Sequence, residues 1–330
     1  MVVRSRDILS DIALSAATLD RCGHERAEER LVERLLADPL TLVLELRGDR
    51  ALVETVGAAG AGAGSGGSHL RLRLRSPQRE DIEGVVIFAG RDGEGHAHVG
   101  VALPSEGAPE PEPPGSAGPD DGGWLTLRQA GAGLDDHDAG LFTTVLALAN
   151  WHATHTHCSR CGAATAPAQG GWLRVCPADG SEHYPRTDAA VIMSVVDDTD
   201  RLLLGRGPQW PEGRFSVLAG FVEPGESFEA AVAREVAEEV GLEVTDVRYL
   251  GNQPWPFPSS VMIGFTARAL STDLDIDPNE VSEALWVTRD DYRSALRSGT
   301  IRAPFGISIA KRIIEHWLGE TIEEAVDLRR

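Results

Sequence analysis

The chain has 330 residues, which is enough for two or three domains with hydrophobic cores of their own. Its 51 acidic and 31 basic residues give a net charge of −20 at neutral pH. A surface this acidic argues against loose binding to nucleic acid or an anionic membrane, because both need a basic surface. The sequence holds no apolar run close to the ~20 residues that span a bilayer, and acidic residues interrupt the first apolar stretch. We therefore expect a cytoplasmic protein that does not bind membranes.

Residues 1–135 form the first predicted domain. Short β-prone runs recur in it, at 41–46, 69–74 and 84–89. Two segments of biased composition interrupt these runs: residues 57–68 are rich in glycine, and residues 104–123 are rich in proline and acidic residues. We expect both segments to be flexible surface loops without a packed role. No catalytic group of residues is predicted in this half of the chain.

Residues 136–187 are predicted to hold a linker helix and a small metal site. Apolar residues at helical spacing predict the helix over 137–153. Cys158 and Cys161 then form a CxxC turn, and Cys176 opens a second turn. Two facing turns at this separation are typical of a zinc ribbon, in which thiolates hold a structural ion. Clustered cysteines also favour metal binding in a reducing compartment over a disulfide framework.

The fourth ligand of this predicted zinc site is not a cysteine. Asp179 completes a CxxD turn with Cys176, and a carboxylate oxygen is an accepted zinc ligand. One alternative is a nearby histidine, because imidazole nitrogen also binds zinc well. The histidines within reach in the sequence are His155, His157 and His183. A degenerate site that holds no ion is the other alternative.

Residues 188–330 combine short β-branched runs with two amphipathic helices. Strands are predicted at 189–196, 201–204, 215–218, 247–251, 261–269 and 283–287, the first two joined as a hairpin. One helix is predicted from Ser227 onward, and another over 307–318. Strands before and after a central helix, with a second helix at the end, predict a mixed α/β sandwich. The predicted fold class of the whole chain is therefore α/β, with a small mixed domain and a zinc ribbon at the front.

The first of these helices carries a dense cluster of carboxylates. Ser227 is a suitable N-cap, Gly241 is a suitable C-terminal stop, and apolar residues recur every four positions between them. Glu235 and Glu239 lie four residues apart, and Glu238 lies three from Glu235, so we expect all three to project from one side. Their repulsion is offset if a cation lies among them, and oxygen-only ligation is typical of Mg²⁺ or Mn²⁺.

Two further stretches frame this helix. Gly220 with Pro224 and Gly225 is predicted to form a tight loop that brings Glu226 towards the same ions. Residues 252–260 read NQPWPFPSS, and three prolines in nine residues predict a rigid extended loop rather than regular structure. Taken alone, the acidic cluster would be a solvated helix face and the proline-rich loop a packed corner.

Taken together, these motifs resemble those of the Nudix hydrolases, and more specifically of their NADH pyrophosphatase subgroup. Every fixed position of the Nudix signature is filled, by Gly220, Glu226, Arg234, Glu235, Val236, Glu238, Glu239, Gly241 and Leu242. The QPWPFP sequence after the signature and the zinc ribbon before it make the resemblance specific to the subgroup. It extends from about Arg128 to Ala310 and implies a Nudix α/β/α sandwich with a mixed sheet.

The resemblance implies an enzyme that hydrolyses the pyrophosphate bond of NADH or NAD to NMN(H) and AMP. Some members of the subgroup also remove NAD caps from the 5′ ends of RNA. The resemblance further implies two or three catalytic Mg²⁺ or Mn²⁺ ions, a structural Zn²⁺ ion and a homodimer. Divalent ions suit this chemistry, because they neutralise phosphate oxygens and lower the pKa of the attacking water. The alternatives are a pyrophosphatase for ADP-ribose or dinucleoside polyphosphates, and an inactive zinc-ribbon binding module.

The resemblance also assigns roles to individual residues. The catalytic ions would be held by Ala219 through its carbonyl and by Glu226, Glu235, Glu239 and Glu280. Either Glu238 or Glu239 would accept the proton of the attacking water. Phe221 would stack on the adenine together with Tyr184 of the partner subunit. The remaining contacts to the dinucleotide would come from Gln253, Pro254, Trp255, Pro256, Phe257, Pro258, Ser259, Ser260, Ala310 and Arg128. Two departures from the subgroup are Asn252 in place of serine and Asp179 in place of a fourth cysteine.

Overall fold

The structure is a computed structural model that describes residues 9, 12–15, 17–56, 69–103, 122–304 and 306–327. The chain divides into two compact units. The first holds the described residues of 14–187 with 255–259, and the second those of 4–13, 188–254 and 260–330. The predicted loop 57–68 and residues 104–121 of the predicted loop 104–123 lie outside the described residues, whereas Gly122 and Gly123 begin a strand. The division of the chain at residues 135 and 187 stays a prediction.

The first unit is built on a six-stranded mixed sheet. Its strands are β1 (Leu42–Arg47), β2 (Arg50–Val56), β3 (His69–Leu72), β4 (Val85–Arg91), β5 (Ala97–Leu103) and β6 (Gly122–Thr126). They lie in the order β3-β2-β1-β5-β4, with β6 beside β2. Strands β1 and β5 are parallel, and the other described pairs are antiparallel. The three predicted β-prone runs are confirmed as β1, β3 and β4, with ends shifted by one or two residues.

A long helix covers one face of this sheet. The helices of the unit are α1 (Leu31–Ala37), α2 (Leu127–Ala130) and α3 (Asp136–Thr154). The predicted helix over 137–153 is confirmed as α3, whose N-terminus is capped by the side chain of Asp135. An ideal Cβ on Gly100 of β5 would lie 2.2 Å from a methyl carbon of Val145. The absence of a side chain at Gly100 therefore allows α3 to pack directly on the sheet.

The predicted ribbon is a three-stranded antiparallel sheet that is tied to α3 through a buried arginine. Its strands are β7 (Ala166–Ala168), β8 (Leu173–Val175) and β9 (Glu182–His183). The Arg174 guanidinium donates to the hydroxyl and the carbonyl of Thr165, both at 2.7 Å, and to Nδ1 of His152 at 2.9 Å. Burial lowers the pKa of His152 to about 4, so the ring is neutral and Nδ1 can accept this bond. Its Nε2–H donates to the Gly171 carbonyl at 2.8 Å.

The second unit is a six-stranded mixed sheet with helices. Its strands are β10 (Asp188–Val196), β11 (Leu202–Arg206), β12 (Leu218–Phe221), β13 (Val244–Trp255), β14 (Ser260–Ala269) and β15 (Glu283–Val287). Its helices are α4 (Phe228–Val240), α5 (Arg289–Ser298), α6 (Ile309–Leu318) and α7 (Ile322–Val326). The strands lie in the order β13-β14-β10-β11-β15, with β12 beside β10. Strands β10 and β14 are parallel, whereas β11 and β12 are antiparallel to β10.

Two hydrophobic cores lie on opposite faces of this sheet. Along β10, Val191 and Met193 belong to the core that contains α4, whereas Ile192 belongs to the core that contains α6. Successive side chains of a strand point to opposite faces, so α4 and α6 cover the sheet from two sides. This confirms the expected α/β/α sandwich.

Several boundaries of the second unit differ from the prediction. The run 215–218 is not a strand; β12 begins at Leu218, so Gly220 lies in a strand and not in the predicted loop. The prediction that 252–260 contains no regular structure is also wrong, because β13 continues to Trp255. Pro254 lies in β13, an edge strand, which is where proline is tolerated within sheets. The last predicted helix begins at Ile309 and is capped by Ser308.

Candidate active site and metal centres

Three carboxylates converge in the second unit. Glu235 and Glu239 project from α4 and are 8% and 7% exposed, and Glu280 lies in the exposed segment before β15. Each offers an oxygen within 4.8 Å of the others. The predicted caps of α4, Ser227 and Gly241, are both present and fix where this helix begins and ends. An all-oxygen donor set with two buried members fits the ligand preference of Mg²⁺ or Mn²⁺.

Strand β12 passes directly beside the Glu235 carboxylate. An ideal Cβ on Gly220 would lie 1.9 Å from the carboxyl carbon of Glu235 and 2.1 Å from each of its oxygens. Real Cβ atoms do not approach other atoms so closely, so any larger residue here would push the Glu235 carboxylate out of its place. The first glycine of the signature therefore makes room for a carboxylate, whereas the tight turn that we predicted here occurs at Gly225, where φ is +98°.

Arg234 holds this strand and this helix together. Its guanidinium donates to both oxygens of Glu226, at 2.6 and 3.1 Å, and to the Phe221 carbonyl at 2.9 Å. It also donates to Glu235 and to Glu238, each at 2.9 Å. Glu226 therefore binds Arg234 and is not part of the group of three carboxylates. The bonds to Glu226 are the main reason why the pKa of Arg234 is raised.

Burial strongly perturbs the two glutamates of the group. The pKa of Glu239 is raised to about 8, mainly by burial and then by the charges of Glu235 and Glu280, and a backbone hydrogen bond from Ala219 opposes the shift. Burial also raises the pKa of Glu235, although Arg234 opposes the shift. The ionised carboxylates of this group therefore repel one another, and a bound divalent cation would offset that repulsion. Glu238 differs, because its side chain is 56% exposed and pairs with Arg234.

A second group of candidate ligands lies in the ribbon. Cys158, Cys161, Cys176 and Asp179 offer ligand atoms within 4.8 Å of one another. The sulfurs of Cys161 and Cys176 are 3.5 Å apart, and Oδ2 of Asp179 is 3.6 Å from the Cys158 sulfur. Its contact with the Ser181 hydroxyl, followed by hydrogen bonds from backbone N–H groups, lowers the pKa of Cys158 to about 6, which favours the thiolate that binds metal. Three thiols and one carboxylate fit a tetrahedral structural zinc ion.

The three histidines that we considered as alternative ligands lie outside this group. His155 and His157 hydrogen-bond through Nδ1 to the hydroxyls of Thr154 and Thr156, each at 2.9 Å. His183 has its Nε2 3.2 Å from the Ser181 hydroxyl. The geometry thus favours Asp179 as the fourth ligand, and the assignment stays a proposal.

Comparison with known proteins agrees with both sites. Residues 185–305 match the NUDIX domain family, and residues 153–184 match the NADH pyrophosphatase zinc ribbon domain. The NAD-capped RNA hydrolase NudC of Mycobacterium bovis (strain BCG / Pasteur 1173P2) is 45% identical over 241 residues, which is 70% of this chain and 74% of that protein. The chain belongs to the Nudix hydrolases of the NADH pyrophosphatase subgroup.

Two other proteins are also similar to this Nudix hydrolase. The NAD-capped RNA hydrolase NUDT12 of Homo sapiens is 42% identical over 197 residues, which is 56% of this chain and 43% of that protein. The crystal structure of a NUDIX hydrolase from Nitrosomonas europaea aligns with a TM-score of 0.41 at 22% identity, covering 50% of this chain and 94% of that one.

Of the remaining predicted substrate residues, some are exposed aromatic side chains, and others are buried or lie at the ends of strands and helices. Tyr184 and Phe221 are 67% and 61% exposed, and the Tyr184 hydroxyl donates to Glu182 at 2.5 Å. Gln253 is fully buried: its amide donates to the Ile307 carbonyl at 2.6 Å and accepts from the Ile309 N–H at 2.8 Å. The Gln253 side chain therefore braces the start of α6. Three further residues lie at element ends or in the interior: Pro254 in β13, Ser260 at the start of β14 and buried Ala310 in α6.

In the first unit of this Nudix hydrolase, Arg128 packs on two aromatic rings, one at the end of β13 and one in the turn that follows it. Its guanidinium lies 5.2 Å from the Trp255 ring centroid and 4.0 Å from that of Phe257. The two rings meet edge to face at 4.9 Å. Asn150 of α3 fixes the same turn, because its amide donates to the carbonyls of Pro256 at 3.0 Å and Pro258 at 3.2 Å. Ser259 ends the turn.

Sequence reasoning did not identify Asn150 as part of this arrangement. The available signal was a polar side chain directly after the apolar run 145–149, which by itself does not name a partner.

Proposed function

We propose that this Nudix hydrolase cleaves the pyrophosphate bond of NAD(H) to give NMN(H) and AMP, and that it also removes NAD caps from RNA. The convergence of Glu235, Glu239 and Glu280 is the observation that carries the proposal, because three carboxylates, two of them buried, suit ions on a diphosphate. The names of the similar proteins from Mycobacterium bovis and Homo sapiens support NAD as the capping group.

The chain's own residues would divide the work as follows. Glu235, Glu239 and Glu280, with the Ala219 carbonyl, would hold two or three Mg²⁺ or Mn²⁺ ions, and Glu226 would act through Arg234. Such ions neutralise phosphate charge and lower the pKa of the attacking water. We assign the general base to Glu238: Arg234 binds its Oε2, and its Oε1 would take the proton from water.

The exposed rings supply the substrate contacts of this proposal. Phe221 and the partner subunit's Tyr184 would stack on the adenine, with about 1 to 3 kcal/mol for each stacked base. Trp255 and Phe257, held by Arg128 and Asn150, would contact the rest of the dinucleotide. This part of the proposal requires a homodimer, which light scattering on the purified protein would detect. Free ribbon thiols support a reducing compartment, and we propose the cytoplasm.

A hydrolysis assay tests the proposal. Rates with NADH, NAD⁺, ADP-ribose and an RNA carrying a 5′-NAD cap are compared at fixed Mg²⁺ or Mn²⁺. Glu239→Gln should abolish product with every substrate, while Glu229→Gln, an exposed glutamate in the first turn of the same helix, should leave the rates unchanged. Full activity of Glu239→Gln would refute the metal assignment. A higher kcat/KM for ADP-ribose than for NADH and capped RNA would refute the substrate assignment.

A further inference from the structure

The two carboxylate oxygens of Asp179 have different neighbours. The Ser181 backbone N–H and hydroxyl both donate to Oδ1, at 2.9 and 2.5 Å. Oδ2 lies closer to the thiols, 3.6 Å from the Cys158 sulfur against 3.9 Å for Oδ1. Oδ1 thus accepts two hydrogen bonds from Ser181, and Oδ2 is the oxygen nearer to the Cys158 sulfur.

The Ser181 hydroxyl is itself fixed by its neighbours. Because it donates its proton to Asp179, its oxygen is left to accept from Nε2–H of His183, 3.2 Å away. The same oxygen lies 3.2 Å from the Cys158 sulfur. His183, Ser181 and Asp179 therefore form a relay of hydrogen bonds that ends at the predicted zinc ligand.

We propose that Ser181 is a positioning residue that fixes Asp179 as a monodentate zinc ligand through Oδ2, with His183 holding the Ser181 hydroxyl. A carboxylate that is free to rotate can present one oxygen or two to a metal, whereas structural zinc takes four ligands in a tetrahedron. The two hydrogen bonds on Oδ1 keep that oxygen away from the ion. The site is then three thiolates and one oxygen.

This donor set has a consequence for metal selection. A carboxylate is a harder ligand than a thiolate, so replacing one sulfur by oxygen disfavours soft cations. The ribbon should bind Cd²⁺ less tightly than the Asp179→Cys variant, which presents four thiolates. The difference between the two proteins should be smaller for Zn²⁺ than for Cd²⁺.

The test uses the full chain loaded with Co²⁺ in place of zinc, and its readouts do not depend on hydrolysis. Visible absorption counts the thiolates through sulfur-to-metal charge transfer and reports tetrahedral geometry through the d–d bands. Co²⁺ at the glutamate group is bound by oxygen alone and gives no thiolate bands. Zinc affinity is measured by competition with a chromophoric chelator. Asp179→Cys should strengthen the charge-transfer band and shift the d–d bands to lower energy.

Ser181→Ala should weaken zinc binding about 10- to 100-fold, the usual cost of losing a partner that orients a ligand. Ser181→Thr, which keeps the hydroxyl, should restore most of the affinity. Ser159→Ala removes an exposed serine from the first ribbon turn and should change nothing. Unchanged zinc affinity in Ser181→Ala would overturn the proposal. So would an Asp179→Ala variant that keeps the wild-type Co²⁺ spectrum and zinc affinity, because that result shows that Asp179 is not a ligand.

Discussion

Replacing Gly220 by alanine places a methyl group inside the carboxylate cluster. The new Cβ would lie 1.9 Å from the carboxyl carbon of Glu235, so the two atoms must separate by roughly 1.5 Å to reach ordinary van der Waals contact. The backbone around Gly220 is held in β12 by its pairing with Val191 of β10, so Glu235 must yield. Its bond to Arg234, 2.9 Å long, and its position among the candidate metal ligands would both be lost.

A misplacement of this size predicts a loss of about 10²-fold in kcat/KM for NADH. Overpacking should also lower the free energy of unfolding by about 1 to 3 kcal/mol. Steady-state kinetics at several Mg²⁺ concentrations and urea denaturation measure the two effects. The half-maximal Mg²⁺ concentration should rise, because the displaced carboxylate is a metal ligand.

Gly207→Ala is the matched control, since a Cβ at Gly207 would meet nothing closer than 3.6 Å. The double variant Gly220→Ala/Glu235→Asp shortens the displaced side chain and should recover part of the stability but none of the activity. Wild-type kcat/KM and wild-type Mg²⁺ dependence in Gly220→Ala would refute the reasoning.

Three further predictions concern other parts of the site. Arg234→Lys should lower kcat/KM at least about tenfold in the same assay, because one ammonium cannot bond to Glu226 and Glu235 as the guanidinium does; an unchanged value would contradict this role. Asn150→Leu should raise KM for NADH with little change in kcat, since it releases the Pro256 and Pro258 carbonyls without touching the carboxylates; a fall in kcat alone would count against it. In EDTA, the free energy of unfolding should fall more steeply between about pH 5 and 8 for the wild type than for Glu239→Gln, as urea denaturation can measure. Burial raises the pKa of Glu239 from 4.5 to about 8, so its protonated side chain contributes fully to the stability of the folded state below pH 4.5. This contribution is lost as the pH rises to 8, and equal slopes for the two proteins would exclude the effect.

The elements that the sequence predicted well are those whose signals are local. Helix α4 carries a cap, an apolar stripe and a terminal glycine within its own residues, and its ends were predicted. Helices α5 and α7 were missed although a comparable signal was present. Thr288 with Asp291 and Thr321 with Glu324 form capping boxes that start these helices.

The features that sequence reasoning missed depend on contacts between distant residues. Gly220 leaves room for a carboxylate fifteen positions away, and nothing near it in the sequence distinguishes that role from a turn. Glu238 shares a helix with Glu239, but it binds Arg234 and is not one of the three carboxylates that converge. Helical spacing gives the side of the helix from which a residue projects, and it does not give the rotamer or the partner.

The carboxylate group also explains why helix α4 places glutamates on its buried side, where other amphipathic helices place apolar residues. Two glutamates on the buried side of α4 cost free energy of folding, and burial raises the pKa of Glu239 to about 8 as a result. An amide at that position would avoid the cost in the metal-free protein, so Glu239→Gln should be the more stable protein in EDTA near pH 8 and should gain less from Mg²⁺ than the wild type does. A residue kept for metal ligation should therefore respond to this substitution with higher stability of the metal-free protein and weaker stabilisation by Mg²⁺. A residue kept for packing would show both effects with the same sign.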